Sequence, residues 1–353
     1  MKRYLILSDG SVFEGRAMGA SGEALGEVVF TTSMVGYMET LTDPSYYGQI
    51  VTHTFPLIGN YGAIAADAES EKPALKGYIV REKCEKGSNF RKEGELNEFL
   101  VKNNIVGLCD IDTRALVKKI RAKGVMNGLI TDKKDVTPQR LKEIRAYKVK
   151  DAVLSTTCKE LSEHGEGRRV VLWDFGAKGN IERALVSRGC KVLRVPASFT
   201  AEQIVALKPQ GIMLTNGGGD PADNLSIIEE LKKLSAYQIP TFGICLGHQL
   251  LALSHGALTK KLKFGHRGAN QPVKDLKTGR TYITSQNHGY AVVSETLPES
   301  AVLRFVNAND RTAEGVDYAD MPAFSVQFHP EACGGPLDTS FLFDRFMELI
   351  DNH

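Results

Sequence analysis

The hydrophobic pattern of this chain changes character near residue 169. Beyond it, short apolar runs at 169–175, 191–195, 211–215 and 239–244 read as strands. Between them, residues 180–188, 201–207 and 226–236 place apolar side chains at helical spacing, with Gly189 ending the first helix and Thr200 as N-cap of the second. Strand and helix alternate over short connections, which predicts a parallel sheet covered by helices on both faces. A helix-like run follows from Gln249 to Leu253. After Gly256 the pattern turns to strands, at 258–262, 281–285, 291–293, 302–306, 312–316 and 323–328. Residues 338–350 close as a helix with Leu342, Phe343, Phe346, Leu349 and Ile350 on one face.

The earlier part lacks that regularity. Residues 4–7 and 12–15 flank Ser8-Asp9-Gly10-Ser11 and predict a hairpin. Residues 27–32, 49–54 and 125–130 read as strands, and Asp43-Pro44-Ser45 as a turn or helix start. Residues 95–102 and 112–121 have helical spacing, the second with Asp112 as N-cap and Gly124 just past its end. Residues 1–150 therefore read as an α+β domain, and 169–353 as an α/β domain with a mostly parallel, helix-covered sheet. The stretch 151–168 is polar and glycine-containing without periodicity, and reads as a linker.

Composition narrows the function classes. A hydrophobic content of 42% and a charged content of 24% are ordinary for a globular protein, and the net charge of +2 makes no electrostatic case for nucleic acid or a membrane surface. Met1 to Gly10 meets Asp9 too early for a signal-peptide core, and no apolar run is long enough to span a bilayer, so the expected compartment is the cytoplasm. Cys84, Cys109, Cys158, Cys190, Cys245 and Cys333 are scattered without a Cys-x-x-Cys pair, which argues against a zinc ribbon and a disulfide framework.

Ligands of open α/β sheets sit beyond the carboxyl ends of the strands, and three such ends carry unusual residues. Gly243-Ile244-Cys245-Leu246-Gly247 stands where a strand turns into a helix, the cysteine form of a nucleophile elbow. The bland alternative is a buried structural cysteine. Asn216-Gly217-Gly218-Gly219-Asp220-Pro221 exposes backbone N–H groups to a ligand or oxyanion, or is a flexible loop; phosphate binding is disfavoured by the lack of a Gly-Lys-Ser/Thr ending. Gln327-Phe328-His329-Pro330-Glu331 offers a base and an orienting carboxylate two residues apart, on one face if extended, or else a surface turn. A Cys245-His329-Glu331 triad follows if the strand ends are neighbours. A metal site is the weaker reading, since His-Glu-x-x-His is absent. His288, in Gln286-Asn287-His288-Gly289-Tyr290, has no carboxylate at matching spacing, which favours His329 as the base.

Asn-Gly-x-Gly-Asp-Pro, Phe-Gly-Ile-Cys-Leu-Gly-His-Gln and Gln-Phe-His-Pro-Glu, in this order, resemble the class I (triad) glutamine amidotransferase domain. Residues Trp173 to Ile181, His266-Arg267-Gly268-Ala269-Asn270, Thr42-Asp43-Pro44-Ser45-Tyr46 and Asp110-Ile111-Asp112-Thr113-Arg114 extend the resemblance, over nearly the whole chain, to the small, glutamine-hydrolysing subunits of carbamoyl-phosphate synthase. The resemblance implies that Cys245 attacks the glutamine side-chain amide, His329 moves the protons and Glu331 orients His329. It implies an oxyanion hole at the backbone of Gly217 and Leu246. It also implies a glutamine site formed by Ser45, Gly217, Gly219, Leu246, Gln249, Asn287, Gly289 and Tyr290, with Ser45 drawing that site towards the domain interface. No metal and no cofactor is expected on this chain. ATP and magnesium are expected on a separate large subunit, which would receive ammonia through a tunnel and make carbamoyl phosphate for arginine and pyrimidine synthesis, in a heterodimer or a higher assembly. Gly218 stands where proline is common in this family, Tyr290 where phenylalanine is common and Gln271 where histidine is common; none of the three removes a triad atom. The competing readings are an amidotransferase serving another acceptor, a free-standing γ-glutamyl hydrolase, and a non-catalytic regulatory subunit.

Overall fold

The computed structural model describes residues 1–332 and 334–353, so Cys333 lies outside the described residues. It divides into two compact units, Met1–Lys150 and Asp151–His353. Among the described residues no helix is long and apolar enough to cross a membrane.

In the first unit seven strands close into a barrel: β1 (Lys2–Leu7), β2 (Val12–Gly19), β3 (Ala24–Thr31), β4 (Gln49–Ile58), β5 (Gly77–Lys83), β6 (Val106–Cys109) and β7 (Met126–Thr131), in the order β1-β2-β6-β5-β4-β3-β7. The expected hairpin joins β1 to β2, with Gly10 at φ 87° in its turn. β3, β4, β5 and β6 run parallel, and a parallel pair needs a crossover. The crossover between β3 and β4 is the helix Tyr37–Thr42 and the short 3₁₀ turn Pro44–Tyr46. Leu41, Val51, Tyr78, Val80 and Leu100 meet in the core of this unit. Strands β5 and β6 escape the sequence pattern: β6 is only Val-Gly-Leu-Cys, buried at every position, so it shows no polar alternation.

The second unit is a ten-stranded sheet. Its strands are β8 (Ser162–His164), β9 (Arg168–Asp174), β10 (Cys190–Pro196), β11 (Gly211–Leu214), β12 (Thr241–Ile244), β13 (Thr259–Asp275), β14 (Thr281–Val292), β15 (Ala301–Asn307), β16 (Ala313–Tyr318) and β17 (Ala323–Val326). They lie in the order β14-β13-β15-β16-β17-β12-β11-β9-β10-β8. Strands β10, β9, β11, β12 and β17 are mutually parallel and carry the strand ends singled out above. The alternation along β9 shows how both faces are covered. Val171 and Trp173 pack with the helices Leu225–Ser235 and Leu246–Ser254, whereas Val170 and Leu172 pack with Gly179–Val186 and Phe341–Asp351. The last helix buries Leu342, Phe343, Phe346 and Ile350 as its spacing predicts.

Two expectations need correction. Residues 151–168 are not a plain linker. Ala152–Thr156 is a helix whose Val153 joins the core, and β8 pairs antiparallel with β10 at the sheet edge. A three-residue, largely exposed edge strand is too short to show a period, which is why it reads as loop. The short strands expected at 258–262, 281–285 and 291–293 are parts of two long ones, β13 and β14, which pair with register shifts between Lys261 and His266 and between Gly268 and Gln271.

Candidate active site

The elbow is built by close approach. Cys245 sits at φ 54°, ψ −102°, a conformation costly for a side chain-bearing residue, on the order of 1–3 kcal/mol. Its N–H donates to the Val326 carbonyl at 2.8 Å, and the helix Leu246–Ser254 begins at the next residue. A Cβ on Gly247 would stand 2.4 Å from the Leu214 oxygen, and one on Gly243 3.0 Å from the Gly247 backbone, so helix and strands meet at this distance only with glycine at both positions.

Strands β12 and β17 are adjacent and parallel, with Ile244 opposite Val326, so the elbow and the His-Pro-Glu segment leave the sheet side by side. His329 Nδ1 donates to Glu331 Oε1 at 2.6 Å, with both side chains buried. The sequence argument placed them on one face of an extended segment. They meet instead on a turn beyond β17, closed by the Ala332 N–H donating to the His329 carbonyl at 3.3 Å. Pro330 favours such a turn. Among the described residues, His329 Nε2 has no hydrogen-bond partner, although it is buried. Its imidazole is pushed down by burial and by the nearby Lys178 charge, and pulled up by Glu331 and the Cys245 sulfur. The upward pull prevails, to about 10. Glu331 is pushed up by burial, but His329 and Lys178 bring it down to about 2. With one proton on Nδ1 held by Glu331, the upward pull favours a second proton arriving on Nε2 from the thiol, which would complete an imidazolium–carboxylate pair.

Lys178, which the sequence reading did not single out, is buried with Nζ 3.5 Å from Glu331 Oε1. Its position follows from the loop after β9. Asp174 Oδ1 accepts from the Gly176 and Ala177 N–H groups at 2.8 and 2.7 Å, and Asn216 Oδ1 accepts from the Lys178 N–H at 3.0 Å. Asn216 Nδ2 returns a bond to the Gly176 carbonyl at 2.9 Å, tying this loop to the glycine loop. A lysine two residues after a strand-end glycine was the available signal, but only the fold aims it at Glu331.

The remaining candidates of the second unit sit on the glycine loop, the elbow helix and β14. A Cβ on Gly217 would lie 2.3 Å from the Phe175 oxygen and 2.6 Å from Leu246 Cδ2, so the glycine loop lies against the start of the elbow helix. Leu246 is the first residue of that helix, where an N–H has no acceptor one turn back. Gly219, at φ 89°, lies in the same loop. Gln249 is buried and donates from Nε2 to the Tyr290 carbonyl and to Gln327 Oε1, both at 2.8 Å. The Asn287 carbonyl accepts from Cys245 Sγ at 3.8 Å. Gly289 and Tyr290 follow on β14, half-buried. Ser45 belongs to the first unit, on the turn capped by Asp43, whose carboxylate accepts from the Ser45 N–H at 2.9 Å. Both ring nitrogens of His288 have partners outside the triad. Its Nδ1 is 2.7 Å from the Tyr290 carbonyl and its Nε2 3.2 Å from His266 Nδ1.

Residues 5–130 match the family model for the carbamoyl-phosphate synthase small chain, CPSase domain, and residues 171–349 match the model for class I glutamine amidotransferase. The chain is 52% identical over 349 residues to a carbamoyl phosphate synthase small chain of Clostridium perfringens, covering 99% of both chains. It is also 52% identical to the protein of that description from Oceanobacillus iheyensis, covering 99% of this chain and 96% of the other. A third, from Fusobacterium nucleatum, is 52% identical over 99% of both chains.

Proposed function

The chain belongs to the carbamoyl-phosphate synthase small-chain family, and from that premise we propose that it hydrolyses L-glutamine through Cys245, His329 and Glu331 and hands the ammonia to a large subunit. The single observation that carries the triad is the strained Cys245 beside a buried His329, whose Nδ1 is held by Glu331 at 2.6 Å while Nε2 makes no hydrogen bond among the described residues.

In this reading His329 Nε2 takes the Sγ proton, and the sulfur adds to the side-chain amide carbon of glutamine. The oxyanion is received by the N–H groups of Gly217 and Leu246, the second at a helix N-terminus. The imidazolium returns its proton to the nitrogen as the C–N bond breaks, which releases ammonia and leaves a γ-glutamyl thioester. His329 then deprotonates a water that attacks the thioester, releasing glutamate and restoring the thiol. Glu331 keeps Nδ1 protonated so that Nε2 is the working nitrogen, and Lys178 keeps Glu331 ionised. Gln249, Asn287, Gly289, Tyr290 and Gly219 bind the amino-acid part of the substrate. ATP, magnesium and bicarbonate act on the large subunit, and ammonia reaches it through an internal tunnel.

The test is glutamate release by the purified chain, alone and with its large subunit, beside Cys245→Ser. Hydrolysis stimulated by the partner and abolished in C245S is expected. Hydrolysis indifferent to the partner would favour a free-standing hydrolase, and Cys245-independent or absent hydrolysis would remove the triad reading.

A further inference from the structure

A second buried knot of titratable groups lies outside the triad. His266 on β13 and His288 on β14 face each other at a paired position, with rings 4.9 Å apart and nearly perpendicular. Their outward nitrogens are both committed. His266 Nε2 lies 2.9 Å from Asp310 Oδ2, and His288 Nδ1 lies 2.7 Å from the Tyr290 carbonyl. A carboxylate and a carbonyl can only accept, so both outward nitrogens carry protons. The inward nitrogens, His266 Nδ1 and His288 Nε2, are 3.2 Å apart. If neither were protonated, two lone pairs would face each other at a separation too short for a water to come between them. One proton between them resolves this, and gives the pair three ring protons and one positive charge.

The surroundings suit that charge. Glu314 Oε1 lies 3.5 Å from His266 Nδ1, and Glu314 accepts from Gln286 Nε2 at 3.0 Å and from Asn307 Nδ2 at 3.3 Å. Gln286, oriented by those amide bonds, turns its Oε1 to His288 Nε2 at 3.1 Å, where it can accept whenever the proton sits on His288. Burial pushes His266 down, but Glu314 and Asp310 raise it overall. Burial, and then the charge on His266, push His288 well down, with Arg267 and His329 adding to this. The proton therefore rests mainly on His266.

The knot holds a strand whose backbone borders the triad. The β13–β14 register is broken on both sides of the three paired positions His266/His288, Arg267/Asn287 and Gly268/Gln286. That short piece of ladder therefore lacks continuous support. On it and just beside it along β14, the Ser285 carbonyl accepts from the His329 N–H at 2.9 Å, the Asn287 carbonyl from Cys245 Sγ, and the Tyr290 carbonyl from Gln249.

We propose that His266, as an imidazolium held between Asp310 and Glu314, is a positioning residue for the glutamine site: by donating from Nδ1 to His288 Nε2 it fixes the segment Asn287-His288-Gly289-Tyr290 beside Cys245. This rests on the glutaminase reading above. It goes beyond that reading by giving a role to four residues, His266, His288, Asp310 and Glu314, that take no part in the chemistry.

The test compares His266→Ala and His266→Gln in the full chain with its large subunit. H266A is expected to raise the KM for glutamine about 10-fold or more while kcat stays within about 3-fold. H266Q, whose amide can still donate to His288, recovers most of that loss. In protein labelled with ¹⁵N-histidine and assigned residue by residue, the wild type shows His266 protonated on both nitrogens and His288 neutral with its proton on Nδ1, and H266A loses the His266 signal. An unchanged KM, a loss confined to kcat, or H266Q no better than H266A overturns the proposal. So does one equivalent of a transition metal that co-purifies with the wild type and leaves with chelator, because a metal ion would then occupy the place of the shared proton. If the wild type released no glutamate at all, the glutaminase reading would fall first, while the nitrogen spectra would still decide whether the imidazolium exists.

Discussion

His329, on the turn beyond β17, and His266, on β13, are both buried imidazoles beside a glutamate, and they differ in how their second nitrogen is engaged. His329 Nδ1 is bound to Glu331 while its Nε2 has no partner among the described residues. His266 has both nitrogens engaged, one by Asp310 and one by His288. Burial and a carboxylate neighbour are common to both, so neither marks a base. What distinguishes the proposed base is a nitrogen with no hydrogen bond among the described residues, next to the proposed nucleophile. His266 is saturated and can only hold, whereas His329 is half-saturated and can exchange a proton.

The largest test of that contrast is His329→Gln. It should lower the rate of glutamate release by about 10²–10⁴-fold, measured as kcat with saturating glutamine, where H266A leaves kcat nearly intact. Equal losses in the two variants would erase the distinction.

Gly217→Ala probes the other side of Cys245. The new Cβ would collide with the Phe175 oxygen at 2.3 Å and Leu246 Cδ2 at 2.6 Å, so the loop must move away from the helix start. If Gly217 and Leu246 receive the oxyanion, kcat should fall by about 10²–10³-fold. Alkylation of Cys245 by iodoacetamide should proceed nearly as in the wild type, because the thiol and His329 are untouched. A loss of alkylation to match kcat would mean that the elbow itself had been displaced.

The smallest effects concern pH. The folded His329 lies near 10, above its ordinary 6.5. Its protonation thus stabilises the fold fully below pH 6.5, and that contribution is lost as pH rises through about 10. The folded Glu331 lies near 2, below its ordinary 4.5. Its contribution is present above pH 4.5 and is lost as pH falls through about 2. Lys178 lowers both groups, so Lys178→Met should shift both limbs of the pH–stability curve upward, as read from urea midpoints across the pH range. H329Q should flatten the alkaline limb. A K178M curve superimposable on that of the wild type would show that the Lys178 charge does not reach the pair.

The two histidines also separate what can be read along a chain from what cannot. Cys245 between two glycines, His329 two residues before Glu331, and strands alternating with helices are local patterns. Their physical causes are local too: a strained turn needs glycines beside it, and side-chain periods of 2 and 3.6 reveal which faces are buried. The proposed nucleophile and base, the helix-covered sheet and the turn at Asp43-Pro44-Ser45 were therefore legible in the sequence itself. The barrel closure of the first unit, the edge strand at Ser162–His164, the turn that brings Glu331 back to His329, and the reach of Lys178 were decided by tertiary structure. So were Asp310 and Glu314, which are 44 and 48 positions from His266 and come from the β15–β16 turn and from β16. Pairings of that kind arise from strand order and register, which single out partners by packing across the sheet and leave no spacing in the chain to announce them.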